Sequence, residues 1–359
     1  MEPIYRQLAQ RLDAIPNGFP ATESGVELRL LAKLFTPEEA GLAIHMRLSR
    51  EPAGAIAARA GVDVAAARRL LKSMARKGLI GYARGDGGLV YGLLPFAVGF
   101  YENQLLAMDA ALAALVEEYF QETRGGPITE QAPPLHRVIP VGEAIPFDLE
   151  IFPYESASAL VENAKSWAVR DCICRVQRRL IGQGCDHPIE ACLSLAPVEG
   201  AFDGDEAARV LTKEEALRLL REAEEAGLVH TTGNYRDGAF YICNCCTCCC
   251  GILRGVAEFR VPTAVAHSDF HARVDAEACS GCGACVERCG FGALSVSAKV
   301  CEVDPLRCVG CGLCAAACPT GALRLLRRPA GETPELPVNL IDWMVQRARQ
   351  RGIPLAGIV

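Results

Sequence analysis

The chain has 359 residues, with 37 Lys and Arg against 43 Asp and Glu and a formal net charge of −6, which is length enough for two or three domains with separate cores. Its nineteen cysteines are far above ordinary usage, and an odd number fits no all-disulfide framework. No run approaches the eighteen or more apolar residues of a membrane helix, and the opening MEPIYRQLAQRLDAIP has no apolar signal region, so a cytoplasmic protein without a membrane segment is expected.

Residues 1–93 carry 13 basic against 9 acidic side chains and residues 94–171 carry 4 against 12, so only the first stretch suits an anionic partner. In chain order, VELRLLAKLF and PEEAGLAIHMRL read as amphipathic helices, the second capped by Thr36 with Pro37 at its first position. PAGAIAARAG and DVAAARRLLKSMARKGLI follow as two helices around Gly61-Val62, with Asp63 as N-cap. YARGDGGLVYGLL alternates about GDGG as a hairpin does. This order over residues 1–95 resembles a winged helix-turn-helix domain. The resemblance implies a recognition helix presenting Arg68, Arg69, Lys72, Arg76 and Lys77, a wing with Arg84, and a core face of Val64, Leu70, Leu71, Met74 and Leu79. That basic face is compatible with phosphate, yet such domains also dock proteins, and DNA is the second candidate partner.

Residues 96–146 read as one long helix, YENQLLAMDAALAALVEEYFQE, and a Pro/Gly-rich connector, TRGGPITEQAPPLHRVIPVGEAIP. Residues 147–262 form a mixed, cysteine-rich middle segment. Within it TKEEALRLLREAEEAG is a helix with a Thr212–Glu215 capping box and a stop at Gly227. A compact cysteine-rich module occupies 263–328, and 329–359 hold a linker and the amphipathic VNLIDWMVQRARQRG.

All the cysteines lie between Cys172 and Cys318. CSGCGACVERCGFGALSV and CVGCGLCAAACPTGALRL are duplicates, preceded by the acidic DAEA and DPLR. Each contains C-x2-C-x2-C-x3-C, a spacing suited to [4Fe–4S] groups. The region Asp275 to Arg327 resembles bacterial two-cluster ferredoxins. The resemblance implies one cube on Cys279, Cys282, Cys285 and Cys318 and a second on Cys308, Cys311, Cys314 and Cys289. Pro319 follows the last cysteine of the second repeat, but Gly290 stands there in the first, which leaves the local turn open. A zinc ribbon would use two separated C-x2-C knuckles instead. Cys301 falls at none of these positions and reads as a buried small hydrophobe.

CNCCTCCCG places Cys243, Cys245, Cys246, Cys248, Cys249 and Cys250 within eight positions. If extended, it turns Cys243, Cys245 and Cys249 one way and Cys246, Cys248 and Cys250 the other. Upstream, DCICRVQRRLIGQGCDHPIEACL adds Cys172, Cys174, Cys185 and Cys192. In a reducing compartment such thiols point to metal, and at least one further iron–sulfur cluster is expected to join CICR to the cysteine run. The alternatives are a zinc site, with His187 as a candidate ligand, and a redox dithiol. Arg170, Arg175, Arg178 and Arg179 either raise a cluster potential or hold an anionic ligand, or form a solvated basic helix face.

From Leu160 to Leu326 the chain resembles a group of multi-cluster ferredoxin-type proteins of anaerobic bacteria, which implies architecture and cofactor but no reaction. The other histidines, His45, His136, His230, His267 and His271, show no paired ligand spacing. No nucleophile elbow, P-loop or dinucleotide fingerprint is present, which argues against intrinsic flavin, nicotinamide or nucleotide chemistry. The expectation is an α+β multidomain protein with two [4Fe–4S] clusters and one or two more, passing single electrons to a redox partner. The rival functions are an iron–sulfur redox-sensing transcriptional regulator and an iron–sulfur enzyme with an open-site middle cluster.

Overall fold

The computed structural model describes residues 2–125, 131–145, 151–329 and 331–355. It is mixed α and β with several small sheets, and it divides into two compact units, Met1–Ala132 with Met344–Val359 and Pro133–Trp343. Parts of the Pro/Gly-rich connector, 126–130 and 146, and the start of the middle segment, 147–150, lie outside the described residues. Among the described residues no helix is long and apolar enough to cross a membrane.

In the first unit, α1 (Pro3–Asp13), α2 (Val26–Leu34) and α3 (Pro37–Ala43) bury Leu8, Leu12, Leu30, Leu31 and Leu42. Thr36 accepts the Glu39 N–H, and the Glu39 carboxylate accepts the Thr36 N–H at 2.9 Å, so two orphan donors are satisfied at once. α3 is shorter than PEEAGLAIHMRL suggests. The chain tightens into three-residue turns, with His45 N–H to Leu42 O at 3.1 Å and Met46 N–H to Ala43 O at 3.0 Å, and these end the helix. β1 (Glu51–Pro52), α4 (Ala53–Ala60), α5 (Val64–Arg76), β2 (Ile80–Gly85) and β3 (Gly88–Leu93) follow. Gly61 closes α4 at φ 67°, and the Asp63 carboxylate caps α5 at Ala66 N–H. The hairpin turns at Asp86-Gly87, and the three strands lie in the order β1-β3-β2, antiparallel. Leu71, Met74 and Leu79 are buried as expected. Val64 is exposed, because it is the first helical residue and points off the core face.

The long helix over Tyr101 to Glu122 is corrected to a 3-10 turn, Glu102–Ala107, and a separate α6 (Ala110–Thr123). Met108 is extended, and the Asp109 carboxylate takes the Leu112 N–H at 2.7 Å, so a new N-cap starts where continuity was expected. Nearby in the chain, Phe96 is buried among aromatic rings, with Phe19, Phe100 and Tyr119 at ring distances of 5.4, 5.5 and 5.6 Å.

The second unit is built on a six-stranded antiparallel sheet. Its strands are β4 (His136–Ile139), β5 (Ser166–Asp171), β6 (Glu190–Ala196), β7 (Arg209–Leu211), β8 (Val229–Gly233) and β9 (Tyr241–Cys245), in the order β4-β8-β9-β6-β5-β7. α7 (Ala157–Glu162) and α9 (Lys213–Glu225) cover one face, burying Val161 and Leu220 against Val169, Leu193, Leu195 and Ile242. Both halves of the Thr212–Glu215 capping box form, and Gly227 sits at φ 79° just past the end of α9. Side chains alternate along a strand. With Leu193 paired to Ile242 under the helices, the next pair, Cys192 and Cys243, faces the opposite side. On that side lie α8 (Ile173–Leu180), entered through Cys172, and α10 (Gly251–Ala257), entered through Cys250. β10 (Phe270–Val274), α11 (Ala284–Arg288), β11 (Leu294–Ser297), β12 (Val300–Val303), α12 (Leu313–Ala316) and β13 (Leu323–Arg327) make the terminal module, and α13 (Leu340–Gln350) follows.

Candidate metal centre

The duplicated sequence folds as a duplicated structure. β10 pairs with β13 and β11 with β12, so the outer strands of the two repeats embrace the inner pair. The acidic residue before each repeat has a defined task. The Asp275 and Asp304 side chains accept the N–H of Glu277 at 3.0 Å and of Leu306 at 2.9 Å. Their carbonyls accept the N–H of Cys279 at 3.1 Å and of Cys308 at 3.0 Å. The loops then run through left-handed glycines at matching places, Gly281 and Gly283 at φ 66° and 81°, Gly310 and Gly312 at 74° and 81°. Only glycine adopts this without strain, and each loop curls its thiols round a common centre.

Cys279, Cys282, Cys285 and Cys318 line one cavity, so the last cysteine of the second repeat enters the first loop. Around the second loop, burial first and then the neighbouring thiols of Cys289 and Cys308 push the Cys311 thiol up to about 12. Cys314 is raised by burial and by Cys311, Cys308 and Cys289. Cys289, from the first repeat, therefore lies among the second loop's sulfurs. Among the described residues no three of these eight thiols lie mutually within 4.8 Å. They ring a space instead of collapsing on a point, which fits a multi-iron group with one thiolate per iron. Cys301 is buried, but not only as a hydrophobe. It lines the first cavity with its sulfur 3.5 Å from that of Cys285, and its main-chain N–H reaches Cys279 Sγ at 3.4 Å. In the sequence, Cys301 is marked only by lying between the repeats, and its strand, which turns it to the cavity, comes from the structure.

The ten middle cysteines separate into two groups. CNCCTCCC is not extended throughout. β9 stops at Cys245, and residues 247–249 turn before α10 begins. Strand alternation therefore ends after Cys245, and Cys249 leaves the face of Cys243 and Cys245 to join Cys246 and Cys248. In the first group the Cys243 thiol lies against Cys192 and Cys245, Cys245 against Cys250, Cys250 against Cys174, and Cys174 against Cys172. Six sulfurs from β6, β9 and the starts of α8 and α10 thus form one string, joining CICR to the run. In the second group Cys185, Cys246, Cys248 and Cys249 have their sulfurs all within 4.8 Å of one another.

Of Arg170, Arg175, Arg178 and Arg179, Arg175 is the one turned inward, at 0% exposure. Its guanidinium donates to Pro188 O at 2.6 Å and Asn244 O at 2.5 Å and touches Cys246. Burial opposes its charge, but the Cys172, Cys246 and Cys245 sulfurs outweigh burial and hold the guanidinium charged. The Cys246 thiol is drawn well below its ordinary value, first by the Cys249 hydrogen bond and, against burial, by Arg175. A buried cation among thiols suits sulfur that carries negative charge, as metal-bound thiolate does. Arg170 pairs with Asp205, and Arg179 donates to Cys185 O at 3.1 Å. His187 Nδ1 stands 3.4 Å from Cys185 Sγ.

Gly290, where the second repeat has proline, faces the turn of the middle run. A Cβ there would come within 2.6 Å of Thr247 Oγ1 and 3.0 Å of its Cγ2. The departure between the repeats therefore marks the point where the terminal module meets the cysteine run. Beside it Arg288 donates to Glu224 O at 2.5 Å and Glu225 O at 2.7 Å, a cation on the carbonyl end of α9.

Residues 278–322 match the 4Fe-4S dicluster domain family. Comparison with curated proteins and with solved structures returns no match. With the clustered cysteines, the match makes this an iron–sulfur protein with a ferredoxin-type module and [4Fe–4S] cofactors.

Proposed function

We propose, from the dicluster match as premise, that the chain is a one-electron carrier in which the terminal module and the middle thiols act as one relay serving a partner oxidoreductase. The observation that carries this reading is the approach of Thr247 to Gly290, which sets Cys289 beside the turn of the middle cysteine run. Cys279, Cys282, Cys285 and Cys318 hold one cube, Cys308, Cys311, Cys314 and Cys289 the other, and the string of Cys172, Cys174, Cys192, Cys243, Cys245 and Cys250 holds a further cluster. Bound there, these groups supply reversible uptake and release of single electrons.

The chain's own residues tune the sites. The N–H of Cys301 on Cys279 Sγ and of Ala293 on Cys289 Sγ, each at 3.4 Å, favour negative charge on sulfur and raise the potential. Cys285, Cys308 and Cys314 are buried, while Cys282 is exposed, so the first site is the one within a partner's reach.

A redox-sensing, DNA-binding regulator is the second reading. It is favoured by the exposed basic face of α5, with Arg68, Arg69, Lys72 and Arg76, and by the exposed Arg84 in the hairpin. These elements support a winged-helix assignment for residues 1–95.

The test is anaerobic purification with iron and labile sulfide counted per chain, followed by an EPR redox titration. About eight irons load the terminal module alone and twelve or more add the middle string. Material without labile sulfide refutes the carrier. Salt-sensitive DNA affinity that changes on oxidation would favour the regulator.

A further inference from the structure

We propose that Cys185, Cys246, Cys248 and Cys249 form a closed tetrahedral site for one zinc ion, separate from the iron–sulfur sites. The distances carry the argument. Cys249 Sγ lies 3.6 Å from Cys185 Sγ, Cys185 Sγ 3.9 Å from Cys246 Sγ, and Cys249 Sγ 3.9 Å from Cys248 Sγ. Four sulfurs bound to one zinc at about 2.3 Å stand about 3.8 Å apart along each edge of the tetrahedron. A cube bonds each corner thiolate to a different iron and spreads them, as the eight thiols of the terminal module are spread. The same molecule thus uses two spacings, and among the described residues only this quartet has the single-ion one. An all-thiolate tetrahedron with no open position suits structural zinc.

Simple apolar packing does not account for the group. Cys246 and Cys249, with Cys185 against them, do sit in a small cluster with Ala191, Ala223 and Leu228. Cys248, however, is exposed, and its sulfur still turns inward to the other three. The surroundings also suit the charge, since four thiolates on a divalent ion leave a net of minus two. The fully buried Arg175 guanidinium touches Cys246, and His187 Nδ1 is placed to donate to Cys185 Sγ. Arg179 grips the same loop through the carbonyls of Cys185 and His187.

Such an ion ties the irregular loop between α8 and β6 to the turn between β9 and α10. The inference leaves the six-thiol string itself, on which the carrier function rests, untouched.

The test uses the full chain, purified anaerobically from cells supplied with both metals. Elemental analysis is expected to give about one zinc per chain, and zinc-edge X-ray absorption four sulfurs at about 2.3 Å with no neighbouring iron. Cys185→Ser and, at an exposed position, Cys248→Ser are each expected to lose the zinc while iron and labile sulfide per chain stay unchanged. Wild-type protein without zinc, iron in its place, zinc indifferent to both substitutions, or a loss of iron and sulfide in either variant overturns the proposal. Failure of the carrier function shows separately, in the iron and sulfide of the wild type.

Discussion

Replacing Gly310 by alanine tests whether the second loop is shaped to hold a cube. Gly310 sits at φ 74°, and a Cβ there would overlap the Phe270 carbonyl oxygen and the Ser268 hydroxyl, with the Phe270 carbonyl carbon at 3.0 Å. The hydroxyl is no loose end, since it donates to Gly310 O at 2.7 Å and is buried. Left-handed backbone costs a non-glycine residue about 1 kcal/mol, and forcing a methyl against fixed main chain costs about 2 kcal/mol more. The loop's competent shape should become roughly 100-fold scarcer, at about 1.4 kcal/mol per tenfold. Gly283→Ala is the matched control. Gly283 has φ 81°, and a methyl placed on it would meet nothing within 4 Å, so it suffers only the backbone strain, about fivefold. After anaerobic reconstitution, Gly310→Ala should lack about four irons per chain and lose the EPR signature of two interacting reduced centres. Gly283→Ala should keep both. A Gly310→Ala protein with full iron and an unchanged spectrum, or equal damage from Gly283→Ala, refutes the reasoning.

With Cys285 as a thiolate, the Cys301 S–H 3.5 Å away is a donor to it. Cys301→Ala should lower the potential of the first centre by about 40 mV, one hydrogen bond of about 1 kcal/mol in a one-electron couple, as read by redox-poised EPR. Gly290→Ala pushes on Thr247 and should slow electron exchange between the module and the middle thiols in freeze-quench experiments without changing iron content; an unaltered rate removes the role given to that contact. Burial takes His136 down from 6.5 to about 3, so the folded chain keeps it neutral while the unfolded chain protonates it below 6.5. Its contribution is complete above that pH and is lost as pH falls. Wild type should therefore lose about 1 kcal/mol more stability than His136→Gln between pH 6.5 and 5.5 in denaturant titrations.

Much of the local structure is legible in the sequence because its signals are local. Thr36 with Glu39, Asp63, Thr212 with Glu215, Gly61 and Gly227 each act through main-chain groups within four residues, and each does so here. The spacing of the repeats likewise announces the dicluster module. What stays hidden depends on long-range packing or on turns without punctuation. Nothing in CNCCTCCC resembles a turn signal, so its reversal at 247–249, and with it the division of ten thiols into six and four, has no sequence mark. Asp109 reads as mid-helix because the apolar period continues on both sides of it. Gly290 is visible as a departure, but only Thr247, 43 positions earlier, explains it.

The exchange of Cys318 into the first loop and Cys289 into the second has a consequence for how the protein matures. A chain still emerging from the ribosome, complete only through its first repeat, presents three corner sulfurs and lacks the fourth, which arrives 29 residues later. The second ring, with Cys289 already in place, is complete once Cys314 has been made, so the ring begun first is the one finished last, four residues later.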